Sequence, residues 1–173
     1  MVVVAIVAIL AMMAAPSYRD MIERNRLRGA ADDVLSLIAN TRGQAVKNGL
    51  DVRIVTTADP TAWCVGAESA AVPSGGVAAT GPATCVCGTA GDCKVDDVET
   101  VVSASKHPRV AMAAGTAFII DGKLGTAFEA DGTFDDLGSI RLTSENYEVR
   151  VNVTPLGQAT LCTPTTMAGI RTC

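Results

Sequence analysis

The stretch MVVVAIVAILAMMAAPSYRDMIERNRLRGAADDVLSLIANTRGQAVKNG, residues 1–49, decides the architecture. Its first fifteen residues, Met1 to Ala15, carry no charge and no hydrogen-bonding side chain. A helix that is apolar all round belongs among lipid tails or other apolar helices, whereas a one-sided pattern belongs against a folded domain. From Ser17 to Asn48 the apolar positions Leu27, Ala31, Val34, Leu35, Ile38, Ala45 and Val46 recur at three- and four-residue steps. That spacing predicts an amphipathic stripe continuous with the apolar run. Pro16, at the junction, lacks the amide its preceding turn would use and is expected to kink or loosen the helix there. Gly49, after Lys47 and Asn48, is the expected left-handed stop.

Fifteen helical residues rise only about 22 Å, while a hydrocarbon core of roughly 30 Å takes about 20 residues. The run therefore reads either as a secretory signal peptide cut after Ala14 and Ala15 or as the inner part of a truncated membrane-spanning helix. A signal peptide opens with positive charge. Here the first charge is Arg19, which favours the retained helix. The expected organisation is a transmembrane or filament-core half at 1–15, an amphipathic half at 16–48, and one head domain at 49–173. The length of 173 residues suits a single core. A net charge of −4 and a pI near 4.9 leave no global field to attract nucleic acid or anionic lipid. Six cysteines argue for an oxidising compartment.

Beyond Gly49 the periodicity changes to short β-branched or alternating runs: 51–57, 61–65, 98–104, 109–113, 117–120, 125–129, 139–143, 147–154 and 158–162. The clearest alternation sets Tyr147, Val149, Val151 and Val153 against Glu148, Arg150, Asn152 and Thr154. Asp121-Gly122 and Asp131-Gly132 are turn signals. Residues 66–97 lack periodicity, and Cys64, Cys85, Cys87 and Cys93 are expected to tie this long loop down, with their pairing open.

Taken together, the apolar-then-amphipathic helix with proline at its junction resembles the type IV pilin-like proteins, and within them the minor pilins and pseudopilins of the FimT/GspH type. Weaker support comes from Asp131-Gly132-Thr133-Phe134 and from the closing segment VRVNVTPLGQATLC. The resemblance implies an α+β fold, a long N-terminal helix followed by antiparallel sheets. It also implies a structural subunit of a type IV pilus or type II secretion pseudopilus, with no enzymatic activity and no cofactor. The implied partners are other pilins or pseudopilins, the inner-membrane assembly platform and inner-membrane lipid. The implied location is a single pass of the inner membrane with a periplasmic head, then the assembled filament. Family members start with a basic leader, an N-methylated first residue and a glutamate that assists assembly. None of these occurs here, so the chain is expected to begin a few residues inside the mature protein.

Other chemistry is weighed against plainer readings. Arg19, Arg24, Arg26 and Arg28 follow the apolar run and could meet lipid phosphates or DNA. Helix-neighbour spacing instead pairs Arg19 with Glu23, Asp20 with Arg24, Glu23 with Arg26 and Arg28 with Asp32. Relatives used in DNA uptake carry Gly-Arg-x-Arg near the C-terminus. Gly157-Gln158-Ala159-Thr160 lacks both arginines and Gly169-Ile170-Arg171-Thr172 lacks one, leaving Arg171 as the residue that could touch nucleic acid. The cysteine spacing does not suit zinc knuckles. His107, the single histidine, has no nucleophile motif beside it. Asp96-Asp97 and Asp135-Asp136 read as turn acids rather than a cation site. Cys162 and Cys173 are expected to be bonded to each other, closing a tail without an apolar pattern of its own.

Overall fold

In the computed structural model of the protein, residues 2–69, 85–129 and 138–173 are described, with side chains from Tyr18 onward apart from Phe128 and Glu129. The centre of the 66–97 loop, the Asp131-Gly132-Thr133-Phe134 turn and Asp135-Asp136 lie outside the described residues. Helix α1 spans Val2–Asn48 as a single element through Pro16. It stops at Gly49, whose φ of 64° puts it in the left-handed region, while the Leu50 amide donates to the Ala45 carbonyl at 3.2 Å. This six-to-one bond satisfies a terminal carbonyl that the helix leaves unpaired.

From Tyr18 onward, the first fully buried helix residue is Leu27, followed by Ala30, Ala31, Val34, Leu37, Ile38, Thr41 and Ala45. The stripe runs through Leu37 and Thr41 rather than through Leu35, which is half-buried, and Val46, which is exposed. Thr41 continues the three- and four-residue steps despite its hydroxyl. The geometry of the face, more than residue type, decides what is covered.

The head holds two main sheets, antiparallel throughout. Strands β1 (Val52–Thr57), β2 (Cys64–Ser69), β5 (Val101–Ser103), β7 (Phe118–Ile120) and β8 (Ala127–Glu129) form the first, in the order β5-β2-β1-β7-β8. Strands β6 (Ala111–Ala114), β9 (Ser139–Thr143), β10 (Glu148–Val153) and β11 (Ala159–Cys162) form the second, in the order β11-β10-β9-β6. A two-residue hairpin joins β3 (Lys94–Val95) to β4 (Val98–Glu99). Strand β2 continues through Ser69, and β3 begins at Lys94, so the loop expected at 66–97 includes strand residues at both ends. Asp96 and Asp97, with φ of 54° and 61°, are the hairpin's two turn residues. That left-handed pair matches the twist of a two-residue hairpin loop.

On β10 the side chains alternate, with Val149, Val151 and Val153 buried against α1 and the other sheet's core. Each such burial is worth about 1.5–3 kcal/mol relative to exposure. Strand β1 differs because both its faces are covered. Val52 and Ile54 join the main core, whereas Val55 joins a second cluster made by Cys64, Cys85, Cys87 and Cys93. The cysteines are paired Cys64–Cys87 and Cys85–Cys93, forming a plate over the outer face of the first sheet. Gly66 permits that approach, since a Cβ there would lie 2.8 Å from Cys93 Sγ and 2.9 Å from Cys87 Cβ. With these sulfurs bonded to one another, no thiolate among the four is left for a metal.

Cys162 and Cys173 are joined by the third disulfide. The tail it closes has more anchors than the sequence pattern suggested. Met167 is buried in the main core and Ile170 packs against it. Thr163 is buried, its hydroxyl lies 2.7 Å from the Glu148 carbonyl, and its backbone bonds Arg171 and Cys173. Two apolar residues three apart are too few to register as a period, yet they fix the loop.

Candidate functional site

Where α1 leaves the head, its polar residues grip the turn between β9 and β10. Glu23 accepts hydrogen bonds from the Ser144 hydroxyl at 2.7 Å, the Asn146 amide at 2.7 Å and the Asn146 side chain at 3.0 Å. Asp20 accepts from the Tyr147 hydroxyl at 2.6 Å and is ion-paired with Arg24. The Arg24 Nε donates to the same hydroxyl at 3.0 Å, and its guanidinium lies 5.0 Å from the Tyr147 ring centre. A turn more than 120 residues away in sequence is thereby fixed to one helix face.

These contacts set the protonation states. The hydrogen bond from Tyr147 is the main influence holding Asp20 below its ordinary value, with Arg24 adding to it. Burial is the largest single influence on Glu23 and pushes it up, but the bonds from Ser144 and Asn146 together outweigh it and the net direction is down. Tyr147 moves up because its proton is held by Asp20. Arg24 moves up through its bond to Asp20.

The expected helix pairs are therefore only partly formed. Asp20–Arg24 and Arg28–Asp32, the latter at 3.8 Å, are present. Glu23 is committed to the β9–β10 turn instead of to Arg19 or Arg26, because a turn offering three donors satisfies a carboxylate better than one exposed neighbour. Arg19, Ile22, Glu23 and Arg26 occupy one helix face and line a cleft of about 420 Å³, opposite Arg109 and Glu145. Arg109 and Glu145 also line an adjoining cleft of about 410 Å³ that reaches His107 and Pro108.

His107 is placed by packing. Its ring stacks on Trp63 with centres 6.0 Å apart, and its Nε2 lies 3.1 Å from Asp33 Oδ2 on α1, without hydrogen-bond alignment. The buried Trp63 indole donates to the Val110 carbonyl at 2.7 Å. Both aromatic contacts pin the 107–110 segment to the head. The Val110 amide donates to His107 at 3.2 Å, closing a turn with Pro108 second and Arg109 third.

The sequence reading missed Arg109, Glu145 and Tyr147 as members of this region. Pro108 before an arginine was a usable signal, because proline favours the second position of a turn. Arg171, at the other end of the tail, bonds the Thr160 hydroxyl at 3.0 Å and does not line this cleft. Among the described residues, no set of three His, Cys, Asp or Glu side chains converges as metal ligands.

The sequence matches the family described as GspH, type II transport protein GspH, over residues 30–157, nearly three quarters of the chain. Neither the curated proteins nor the solved structures return a match. The family match begins at Ala30, within the buried stripe of α1, and ends at Gly157 in the β10–β11 turn. It covers the elements that build the head rather than the apolar start.

Proposed function

Because the chain belongs to the GspH family of type II transport proteins, we propose that it is a minor pilin or pseudopilin, a structural subunit whose helix enters a filament and whose head is displayed on it. The observation that supports this most is the division of α1. The helix begins at Val2 and its uncharged run ends at Ala15, whereas from Tyr18 onward head packing fully buries no helix residue before Leu27. Among the described residues no helix is long and apolar enough to cross a membrane. The anchoring reading rests on the uncharged sequence of residues 1–15.

In this mechanism residues 1–15 are held in the inner membrane and then transferred to a bundle of like helices. Both environments exclude water, so the apolar surface moves without being exposed to it. The head stays in the periplasm. Its partners are other pilins or pseudopilins and the inner-membrane platform. Fractionation of cells expressing the full-length gene is the test. Retention with the membrane and co-purification with pseudopilins support the reading. Release of a mature product beginning at Pro16 or Ser17 overturns it in favour of a secreted domain.

DNA uptake is the competing role. The acidic chain, and an Arg171 already bonded to Thr160, argue for weak or no DNA binding at physiological salt. A salt-resistant complex lost on Arg171→Ala would transfer the function to the tail.

A further inference from the structure

Arg109 stands at a position that glycine would occupy at lower cost. Its φ is 68°, and it is the third residue of the turn that Pro108 enters. Proline second with a positive φ third is the arrangement of a type II turn, where glycine or asparagine is preferred. A long side chain kept in the left-handed region is a local strain of the kind that persists where the side chain has a task. No hydrogen bond or ion pair is made by the Arg109 guanidinium among the described residues. It lines the cleft together with Arg19 and Arg26, which are also without such partners there.

Arg19 and Arg26 are seven residues apart, so they lie two turns apart on one face. Glu23, between them, has its carboxylate committed to Ser144 and Asn146. Glu145 is the other acid in the cleft. The cleft thus holds three unpaired cations against one unpaired anion in a chain whose net charge is −4. Arg19 follows the last residue of the apolar run by four positions, about 6 Å along the axis, which is about the depth of the headgroup layer when the hydrocarbon-embedded part of the helix ends at Ala15.

We infer that this cleft binds the phosphate of an anionic phospholipid headgroup, with Arg19, Arg26 and Arg109 as its donors. The inference deepens the membrane-anchored reading and rests on it. Guanidinium groups suit phosphate because they offer paired N–H donors and keep their charge. A DNA duplex is a poorer fit, since Asp20, Glu23, Asp32 and Asp33 sit along the same helix and would repel an extended polyanion.

The test uses the full chain in detergent micelles with equal amounts of phosphatidylglycerol and phosphatidylcholine, counting retained lipids by native mass spectrometry. Retention of phosphatidylglycerol should exceed that of phosphatidylcholine by about tenfold or more, the scale of one or two charge-assisted contacts. Combining Arg26→Gln with Arg109→Gly should bring the two lipids to parity. Arg109→Gly alone should reduce the preference while raising the thermal midpoint, a pairing that loss of folding does not produce. Glu145→Gln should strengthen the preference, and Arg28→Gln, whose arginine is held by Asp32, should leave it unchanged. Equal retention by the unaltered protein, or a preference that survives loss of Arg26 and Arg109, overturns the inference. So does complete displacement by equimolar inorganic phosphate, which would make the ligand a free oxyanion, or saturable retention of a DNA duplex in place of lipid. Partition into phosphatidylcholine vesicles, measured separately, reports on anchoring alone.

Discussion

Glu68 on β2 and Glu148 on β10 each hold arginine on a β-sheet, but their settings are opposite. Glu68 faces Arg53 across β1 and β2 at 3.5 Å, with both side chains at most one-tenth exposed, and also accepts the Cys85 amide at 2.8 Å. Glu148 lies 2.6 Å from Arg150 and 3.4 Å from Arg141, in a group left a quarter to two-fifths exposed. Arg150 and Arg141 are directly opposite in register, so Glu148 separates two like charges. The same chemistry is surface decoration on one sheet and interior structure on the other. The cysteine plate makes the difference by covering the outer face of β1 and β2.

The comparison breaks first at the carboxylates. Glu68→Ala removes a buried carboxylate that holds both Arg53 and the Cys85 amide beneath the plate and should cost about 3–5 kcal/mol, whereas loss of an exposed pair, as in Glu148→Ala, should stay within about 1 kcal/mol. Urea unfolding of the oxidised protein measures both. Equal costs would mean that the plate does not exclude water.

Opening the plate itself should cost somewhat less. Replacing Cys64 and Cys87 together by serine removes a closed loop worth about 3 kcal/mol in the chain-entropy model. It also admits water to Arg53 and Glu68. The further cost of Glu68→Ala in that background should therefore fall, and the double-mutant cycle should show coupling well above the few tenths of a kcal/mol expected for independent sites. Additivity would separate the disulfide from the buried pair.

The two regions also differ in how much their sequences disclosed. Strand β10 is buried on one face, so Val149, Val151 and Val153 alternate with polar residues and reveal its orientation. Strand β1 is buried on both, and its Val-Arg-Ile-Val run gives no sign that Arg53, on the outer face, is covered. Period-two patterning reports one face at a time. Four cysteines permit three pairings, and choosing among them needs the β1–β2 register and the position of the loop over Gly66. The helix shows the same limit: spacing found Asp20 with Arg24, but Glu23 went to Ser144 and Asn146, which only the fold brings near. The family resemblance was carried mostly by residues 1–49, while the family match lies over 30–157.

The C-terminal disulfide sharpens the contrast from another side. Cys162–Cys173 closes a loop whose interior is already held by Met167 and by Thr163. Cys173→Ser should therefore cost about 2 kcal/mol or less, below the loop-closure value for an unanchored segment. Hydrogen exchange should speed up at the Cys173 amide, bonded to the Thr163 carbonyl, and much less at Ile170, bonded to Met167. A collapse of protection throughout the tail would show that the covalent bond, rather than Met167, is the anchor.

The smallest effect belongs to the solvent-facing clamp at the helix–head junction, where charge is neither buried by a plate nor locked by a disulfide. Asp20 and Glu23 are both held below their ordinary values of 3.8 and 4.5. A carboxylate with a depressed folded pKa contributes stability that is present above its unfolded pKa and lost as pH falls through the folded one. The clamp is thus fully formed from neutrality down to about pH 5 and weakens below about pH 4. Tyr147 has the opposite sign: its proton is retained by Asp20, its pKa is raised above 10.0, and its contribution is lost as pH rises through that higher value. Unfolding measured across this range for the natural chain and for Asp20→Asn combined with Glu23→Gln is the test. The gap between them should be constant from pH 5 to 9 and should narrow below pH 4, where the natural carboxylates are protonated as well. A gap that persists at low pH would mean that shape at the Ser144–Tyr147 turn, rather than carboxylate charge, binds the turn to the helix.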